Sequence, residues 1–142
     1  MCVLRAAGKN FDPIGFLRGS DLKPCSIFLV GEPKLKSRPN SSLNDSSGFN
    51  VPVSDASWSG LAAQIVDAEK FLETHRATLK LLHDAPGLDL FGLDFPLDLR
   101  LGDAVAVQVD EFPASIVRAA SEFGLSLAFS IYPPENSLIR SK

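Results

Sequence analysis

The stretch "LDLFGLDFPLDLRLGD", residues 88–103, decides how the middle of this chain can fold. Between positions 91 and 101 every odd residue is apolar, whereas the even positions hold glycine, aspartate, proline or arginine. This period of two predicts a strand with one buried face and one solvated face. Pro96 has no amide hydrogen to donate, so we expect this strand to lie at the edge of a sheet or to be interrupted at that position. We therefore expect Asp94 and Asp98 to point into water.

Strand and helix signals alternate along the rest of the chain. Asp12 followed by Pro13 is typical of a helix start, and apolar residues spaced by four and three from Leu61 to Leu82 predict a long amphipathic helix. The predicted elements, in chain order, are strand 2–7, helix 13–18, strand 25–30, strand 48–56, helix 61–85, strand 91–101, strand 104–110, helix 113–123 and strand 125–134.

The resulting order is β-α-β-β-α-β-β-α-β. Strands separated by single helices predict an α+β or α/β two-layer fold, with helices packed on one face of a mixed sheet of five or six strands. Repeated β-α-β units of this kind are typical of ferredoxin-like folds. We expect one α/β domain over residues 1–134, a mobile polar loop at 31–48 and a loose C-terminal tail at 135–142.

Composition limits the classes of protein to which the chain can belong. A chain of 142 residues, of which 45% are apolar, has the size and core material of one soluble domain. Residues 84–111 hold seven acids and one base, Arg100, so we expect no nucleic-acid partner. We find neither a membrane-length apolar run nor a signal-peptide pattern, and two cysteines are too few for a disulfide framework. These features predict a cytoplasmic protein with no membrane partner.

Several turn motifs resemble those of a family of small uncharacterised bacterial proteins. They are the F-D-P helix start at 11–13, the K-P turn at 23–24, the G-E-P turn at 31–33, and the C-terminal helix that leads through Gly-Leu into a strand at 112–133. Because these are turn and core residues, the resemblance implies a domain of unknown function with this fold rather than a chemistry. Some small proteins of this kind are regarded as immunity or regulatory partners, so the resemblance also implies a protein partner.

Asp94 and Asp98 are candidates for binding a ligand or a partner. Four residues apart on one strand, they are separated by about 13 Å. Carboxylates that act as a catalytic pair lie about 5 to 9.5 Å apart, and ligands of one metal ion lie closer still. The two aspartates therefore cannot work together along a straight strand, and we predict no metal site. Either aspartate could still join a group on another strand, or both could form a solvated strand face.

His75 and Cys25 are the candidates for catalysis. His75 lies on the apolar stripe of the long helix, where it could line a cleft as a general base or pack as a hydrogen-bonded imidazole. Cys25 could form a thiolate dyad with His75 or be a buried structural thiol. The sequence has no glycine-rich phosphate loop, zinc-protease, serine-hydrolase or C-x-x-C motif. We therefore expect no cofactor, and the sequence favours a protein that is not an enzyme.

Two further features could bind a partner. Lys34, Lys36 and Arg38 form a basic run that could hold a phosphate or an acidic partner, or simply belong to a solvated loop. Trp58, the single tryptophan, could anchor a partner or fasten the start of the long helix to the core.

Taken together, the residues favour a non-catalytic interaction module. The expected edge strand can pair with another chain, so the partner is another protein or a second copy in a homodimer. One alternative is a small enzyme or ligand-binding domain with a cleft near His75 and Cys25. Another is an immunity-type protein that neutralises a toxin with its acidic face.

Overall fold

The computed structural model describes residues 1–133 and has an α+β architecture, with five strands in one mixed sheet and four helices in this part of the chain. The predicted class is confirmed at this level, and the predicted tail at 135–142 lies outside the described residues. The elements are β1 (Cys2–Gly8), α1 (Pro13–Arg18), β2 (Ser26–Phe28), β3 (Ser47–Ser54), α2 (Leu61–Thr74), α3 (Arg76–His83), β4 (Leu90–Asp98), α4 (Ala114–Glu122) and β5 (Ser126–Tyr132).

The strands lie in the sheet in the order β2-β3-β1-β4-β5. Neighbouring strands are antiparallel except for β4 and β5, which are parallel. The register places Leu4 of β1 beside Val51 of β3 and Leu93 of β4. Because side chains alternate between the two faces of a strand, the apolar residues of the three central strands share one face.

A single hydrophobic core covers that face. All four helices contribute to it, so they pack on the same side of the sheet. The fully or nearly fully buried side chains of this core include Leu4, Phe49, Val51, Ile65, Ala68, Leu72, Leu79, Leu82, Leu93, Phe95, Ile116 and Ala120. The first helix begins as the sequence predicts, because the Asp12 carboxylate accepts a hydrogen bond of 2.9 Å from the Gly15 amide.

The long helix predicted at 61–85 is two helices that meet at His75, so the prediction of one continuous helix is wrong. His75 ends α2 and starts α3. The preceding residue, Thr74, donates its hydroxyl to the Lys70 carbonyl at 2.8 Å, and such back-bonding from a β-branched residue bends and weakens a helix. The apolar stripe survives the break, since Leu72 and Leu79 are both buried.

The strand that contains Asp94 and Pro96 is not an edge strand. β4 lies between β1 and β5, and it ends at Asp98 rather than at position 101. Pro96 is accommodated because the pairing between β1 and β4 ends at Val3 and Asp94, so β4 extends past the start of β1. There the buried Gln64 amide donates to the Pro96 carbonyl at 3.0 Å, which replaces a partner from a neighbouring strand.

A strand predicted at 104–110 is not formed, because this segment belongs to a loop that connects β4 to α4.

The loop between β2 and β3 begins near the predicted position and ends at residue 46, since β3 starts at Ser47. It is held together by backbone hydrogen bonds of 2.9 Å from Gly31 to Asn44 and from Lys34 to Ser42. Among residues 1–133, no helix combines the length and apolar character needed to cross a bilayer.

Candidate functional site

The two edges of the sheet are built differently. The β5 edge is seven residues long, with the sequence SLAFSIY, and contains neither a charged residue nor proline. The β2 edge is only three residues long, and Lys34 and Lys36 line a cleft beside it. Short length and nearby lysines are common protections against unwanted strand pairing. Within residues 1–133 the outer side of β5 has no partner strand, so β5 is the edge that is suited to pairing.

Two large apolar side chains stand on this edge. Phe129 lies beside Phe95 and Ile131 beside Leu97 in the parallel register of β4 and β5. Their β4 neighbours are buried in the core, but Phe129 is 58% exposed and Ile131 is 50% exposed. The apolar face of the sheet therefore continues to the edge, where it meets solvent.

The loop after β4 is folded around a polar cluster. The Arg100 guanidinium donates to the Asp110 carboxylate at 2.7 Å, and the Gln108 amide donates to the same carboxylate at 2.7 Å. Gln108 also accepts from the Arg100 backbone amide at 2.8 Å. The hydrogen bond from Arg100 and, to a smaller extent, that from Gln108 lower the pKa of Asp110 because they stabilise its charged form. The cluster thus fixes which side of the loop faces inward.

This arrangement explains why 104–110 alternates without being a strand. The polar Gln108 and Asp110 turn toward Arg100, and the valines at the alternate positions, Val107 and Val109, point outward. Val107 and Val109 are 71% and 77% exposed. Such exposure of consecutive alternate valines is unusual on the surface of a monomer unless something covers them.

The exposed valines and the edge side chains line one cavity of about 550 Å³. Its apolar wall is formed by Leu97, Leu101, Val107, Val109, Phe112, Phe129 and Ile131, which we call the β5 groove. The floor of the groove continues the core, since Leu97 is buried and Phe112 contacts the Phe95 ring with centroids 5.1 Å apart. The groove is thus a shallow apolar surface alongside an unpaired strand edge.

The opposite face of the sheet holds Asp94, and the expectation that it is solvated is wrong. Asp94 is only 5% exposed, because its carboxylate forms an ion pair with Arg5 of β1. The two carboxylate oxygens also accept from the Ser130 hydroxyl, at 2.9 and 3.0 Å. Asp98 lies at the end of β4, where its carbonyl accepts from Gln108 at 3.1 Å. The two aspartates therefore contact different groups.

His75 and Cys25 also lie in separate surroundings. The His75 ring is hydrogen-bonded to Asp21 at 2.9 Å and packs on Phe71 at a centroid distance of 4.5 Å. Cys25 is exposed at the start of β2, where its thiol contacts the Asn50 carbonyl at 3.4 Å. The interpretation of Cys25 as a buried thiol is wrong.

The basic run and the tryptophan are placed as follows. Lys34 and Lys36 line the cleft of about 360 Å³ beside β2, while the Arg38 amide donates to the Leu35 carbonyl within the loop. Trp58 stacks on Tyr132, the last residue of β5, with ring centroids 4.7 Å apart. The tryptophan therefore packs against one end of the edge strand.

Comparison with known proteins adds no further assignment. The chain matches no protein-family model, no curated protein and no solved structure. The family resemblance based on the turn motifs therefore stays a prediction. In the part of the chain that the structure describes, no three His, Cys, Asp or Glu side chains are grouped as a metal site would require.

The β5 groove could not be predicted from the sequence because its residues come from β4, from the loop that follows it and from β5, and these three segments meet only in the folded sheet. Two of these segments carry a signal in the sequence. The last strand contains no charge, and in residues 105–109 valine alternates with alanine and glutamine.

Proposed function

We propose that the protein is a non-catalytic interaction module that binds another protein chain by strand addition at β5. The observation that carries this proposal is the seven-residue uncharged edge of β5 beside the exposed apolar wall of the β5 groove. In strand addition, backbone hydrogen bonds supply affinity, and alternate side chains of the added strand enter pockets that supply specificity. Here the pocket is the groove, so we expect the partner strand to carry apolar residues at alternate positions.

We further propose that the first four strands form a ferredoxin-like unit. Their connectivity is β-α-β-β-α-β, with the second helical crossover made of α2 and α3. Their order β2-β3-β1-β4, with every neighbouring pair antiparallel, supports this proposal. In this view β5 is an addition that covers β4 and presents a new edge.

The surroundings of the candidate catalytic residues support a non-enzymatic role. The His75 ring is engaged by Asp21 and Phe71, which is typical of a structural imidazole. Cys25 is a free exposed thiol, and Cys2 is a free buried one. Two free thiols on one chain favour a reducing compartment, so we propose that the protein acts in the cytoplasm.

A generic strand peptide tests the proposed function. The probe is a fluorescent peptide of alternating valine and threonine with lysines at both ends, and binding is measured by fluorescence anisotropy. We expect binding to the native protein and a loss of ~30-fold or more in Phe129→Lys, because a charge would enter the apolar groove at the centre of the contact.

Leu81→Lys is the matched control. Leu81 is a 69% exposed leucine on α3, so its replacement introduces the same charge on the helical layer, outside the groove lining. Backbone amide shifts in the presence of the peptide should change along β5. Equal binding by both variants, or amide shifts confined to another element, would contradict the proposed function.

A further inference from the structure

We infer that the strand added to β5 is the β5 of a second copy, paired antiparallel about a twofold axis that passes beside Phe129. This inference rests on the proposed function and names its partner. The result is a continuous ten-stranded sheet in which the helical layers of both copies lie on the same side. Its support comes from the residue pairs that this register creates, from charge, from exposed area and from the contrast between the two sheet edges.

The sequence of β5 is complementary to its own reverse. In the antiparallel register centred on Phe129, residue 127 faces 131 of the other copy, and 128 faces 130. On the helical side this brings Leu127 opposite Ile131 and Phe129 opposite itself, so each pair is apolar. On the other side Ala128 faces Ser130, so each pair is small. Apolar pairs directly opposite each other stabilise a sheet, and no large side chain meets a polar one across the inner five residues.

Charge also favours a second copy. β5 has no ionisable side chain other than Tyr132, so its self-pairing places no like charges opposite each other. The Asp110 carboxylate, which lines the groove beside Gln108, is already paired with the Arg100 guanidinium. A strongly charged partner strand would therefore have to be desolvated without gaining an opposite charge in the groove.

The apolar area beside β5 is of the size that a stable dimer needs. Seven apolar or aromatic residues on β5 and its neighbouring loop are between 40% and 77% exposed. They are Leu101, Val105, Val107, Val109, Phe129, Ile131 and Tyr132. Aromatic side chains bury about 150–250 Å² each and the aliphatic ones less, so at these exposed fractions the seven residues present on the order of 600 Å². A stable interface of standard size buries about 800 Å² on each partner.

The opposite edge of the sheet explains why such pairing would stop at two copies. A twofold contact uses the same surface on both molecules and closes the assembly. Growth into a longer sheet would require pairing at β2, which is three residues long and is bordered by the cleft that Lys34 and Lys36 line. The asymmetry between the two edges thus favours a dimer over a fibre.

The register is tested by disulfide cross-linking in a Cys25→Ser background, which removes the exposed thiol. In Phe129→Cys the new thiol lies opposite the same thiol of the second copy. The two Cα atoms are then about 4.5–5.5 Å apart, which is within disulfide range. In Ala128→Cys the two new thiols are diagonal neighbours about 7–8 Å apart. We expect oxidised dimer on non-reducing gels for Phe129→Cys and little for Ala128→Cys, although mixing Ala128→Cys with Ser130→Cys should restore the cross-link.

Sedimentation of the full chain gives the second measurement. We expect a dimer for the native protein and for Leu81→Lys, and a dissociation constant raised ~30-fold or more for Phe129→Lys. The native protein could be monomeric at high concentration and still bind the valine-threonine peptide at β5. That result would overturn the inference that the partner is a second copy and leave the proposed function standing. Loss of both dimer and peptide binding would overturn both. Cross-linking of Ala128→Cys as fast as Phe129→Cys would overturn the register.

Discussion

The ion pair beneath the sheet gives the sharpest test of the described packing. The Asp94 side chain is 7% exposed and the Arg5 side chain is 46% exposed. Asp94→Asn keeps the shape and still accepts the Ser130 hydroxyl, but it loses the charge that Arg5 needs. A charge-assisted hydrogen bond contributes about 1.5–3 kcal/mol, and the half-exposed guanidinium regains water. We therefore expect Asp94→Asn to lower the free energy of unfolding by about 1–2 kcal/mol.

The reverse substitution should cost more. Arg5→Gln leaves the Asp94 carboxylate buried with the Ser130 hydroxyl as its remaining charge-stabilising partner. Removing one member of a buried pair costs about 3–5 kcal/mol, and partial exposure of Arg5 reduces this to about 2–3 kcal/mol. The double variant should lose less than the sum of the single variants, because neither charge is then left alone.

Urea denaturation followed by the fluorescence of Trp58 measures all three variants, and Asp103→Asn, an exposed aspartate, is the control. A control change within about 0.5 kcal/mol is expected for a surface site. If Asp94→Asn behaves like this control, the carboxylate is solvated as the alternation alone suggested, and the argument for a buried pair is refuted. Equal losses in both single variants would contradict the asymmetry drawn from their exposures.

Two further predictions concern titratable groups. Burial raises the pKa of Cys2 to about 12 whereas Cys25 is exposed, so a thiol reagent should label one cysteine per native chain and two after unfolding; labelling of both in the native state would contradict this burial. Hydrogen bonds from Thr78 and then His75 lower the pKa of Asp21 in the folded state. The stability advantage of the native chain over Asp21→Asn should therefore be present above about pH 4 and vanish as the pH falls through the folded-state pKa of Asp21. Denaturation curves at several pH values measure this difference. A difference that does not change with pH would contradict the prediction.

Local signals predicted the elements well where a local interaction decides them. The Asp12 cap, the 4-3 spacing around Leu72 and the C-terminal helix-to-strand transition all depend on residues within a few positions of each other. Such interactions are visible in the sequence because capping and periodicity act over one or two turns. The break at His75 was less visible, since the contacts found there are a single Thr74 hydroxyl bond and a hydrogen bond from His75 to Asp21, which is far away in the sequence.

Alternation predicted which residues of β4 share a face but not what covers each face. Asp94 is on the side opposite the apolar residues, as a period of two requires, yet it is buried by Arg5 and Ser130 on the two adjacent strands. Neither contact can be read from the neighbours of Asp94 in the sequence. The same limit applies to the β5 groove, whose valines and Phe129 meet only after β4, the loop and β5 are assembled.

The place where β4 extends past β1 has a consequence for the evolution of this chain. Gln64 supplies donors to two carbonyls, those of Ser57 and Pro96, which a longer first strand or a different loop would otherwise satisfy. Because the carbonyl at position 96 needs this donor whatever side chain stands there, a glutamine at position 64 should be inherited wherever β1 ends before it reaches position 96 of β4. Lineages in which the first strand gained residues should be free to lose this glutamine.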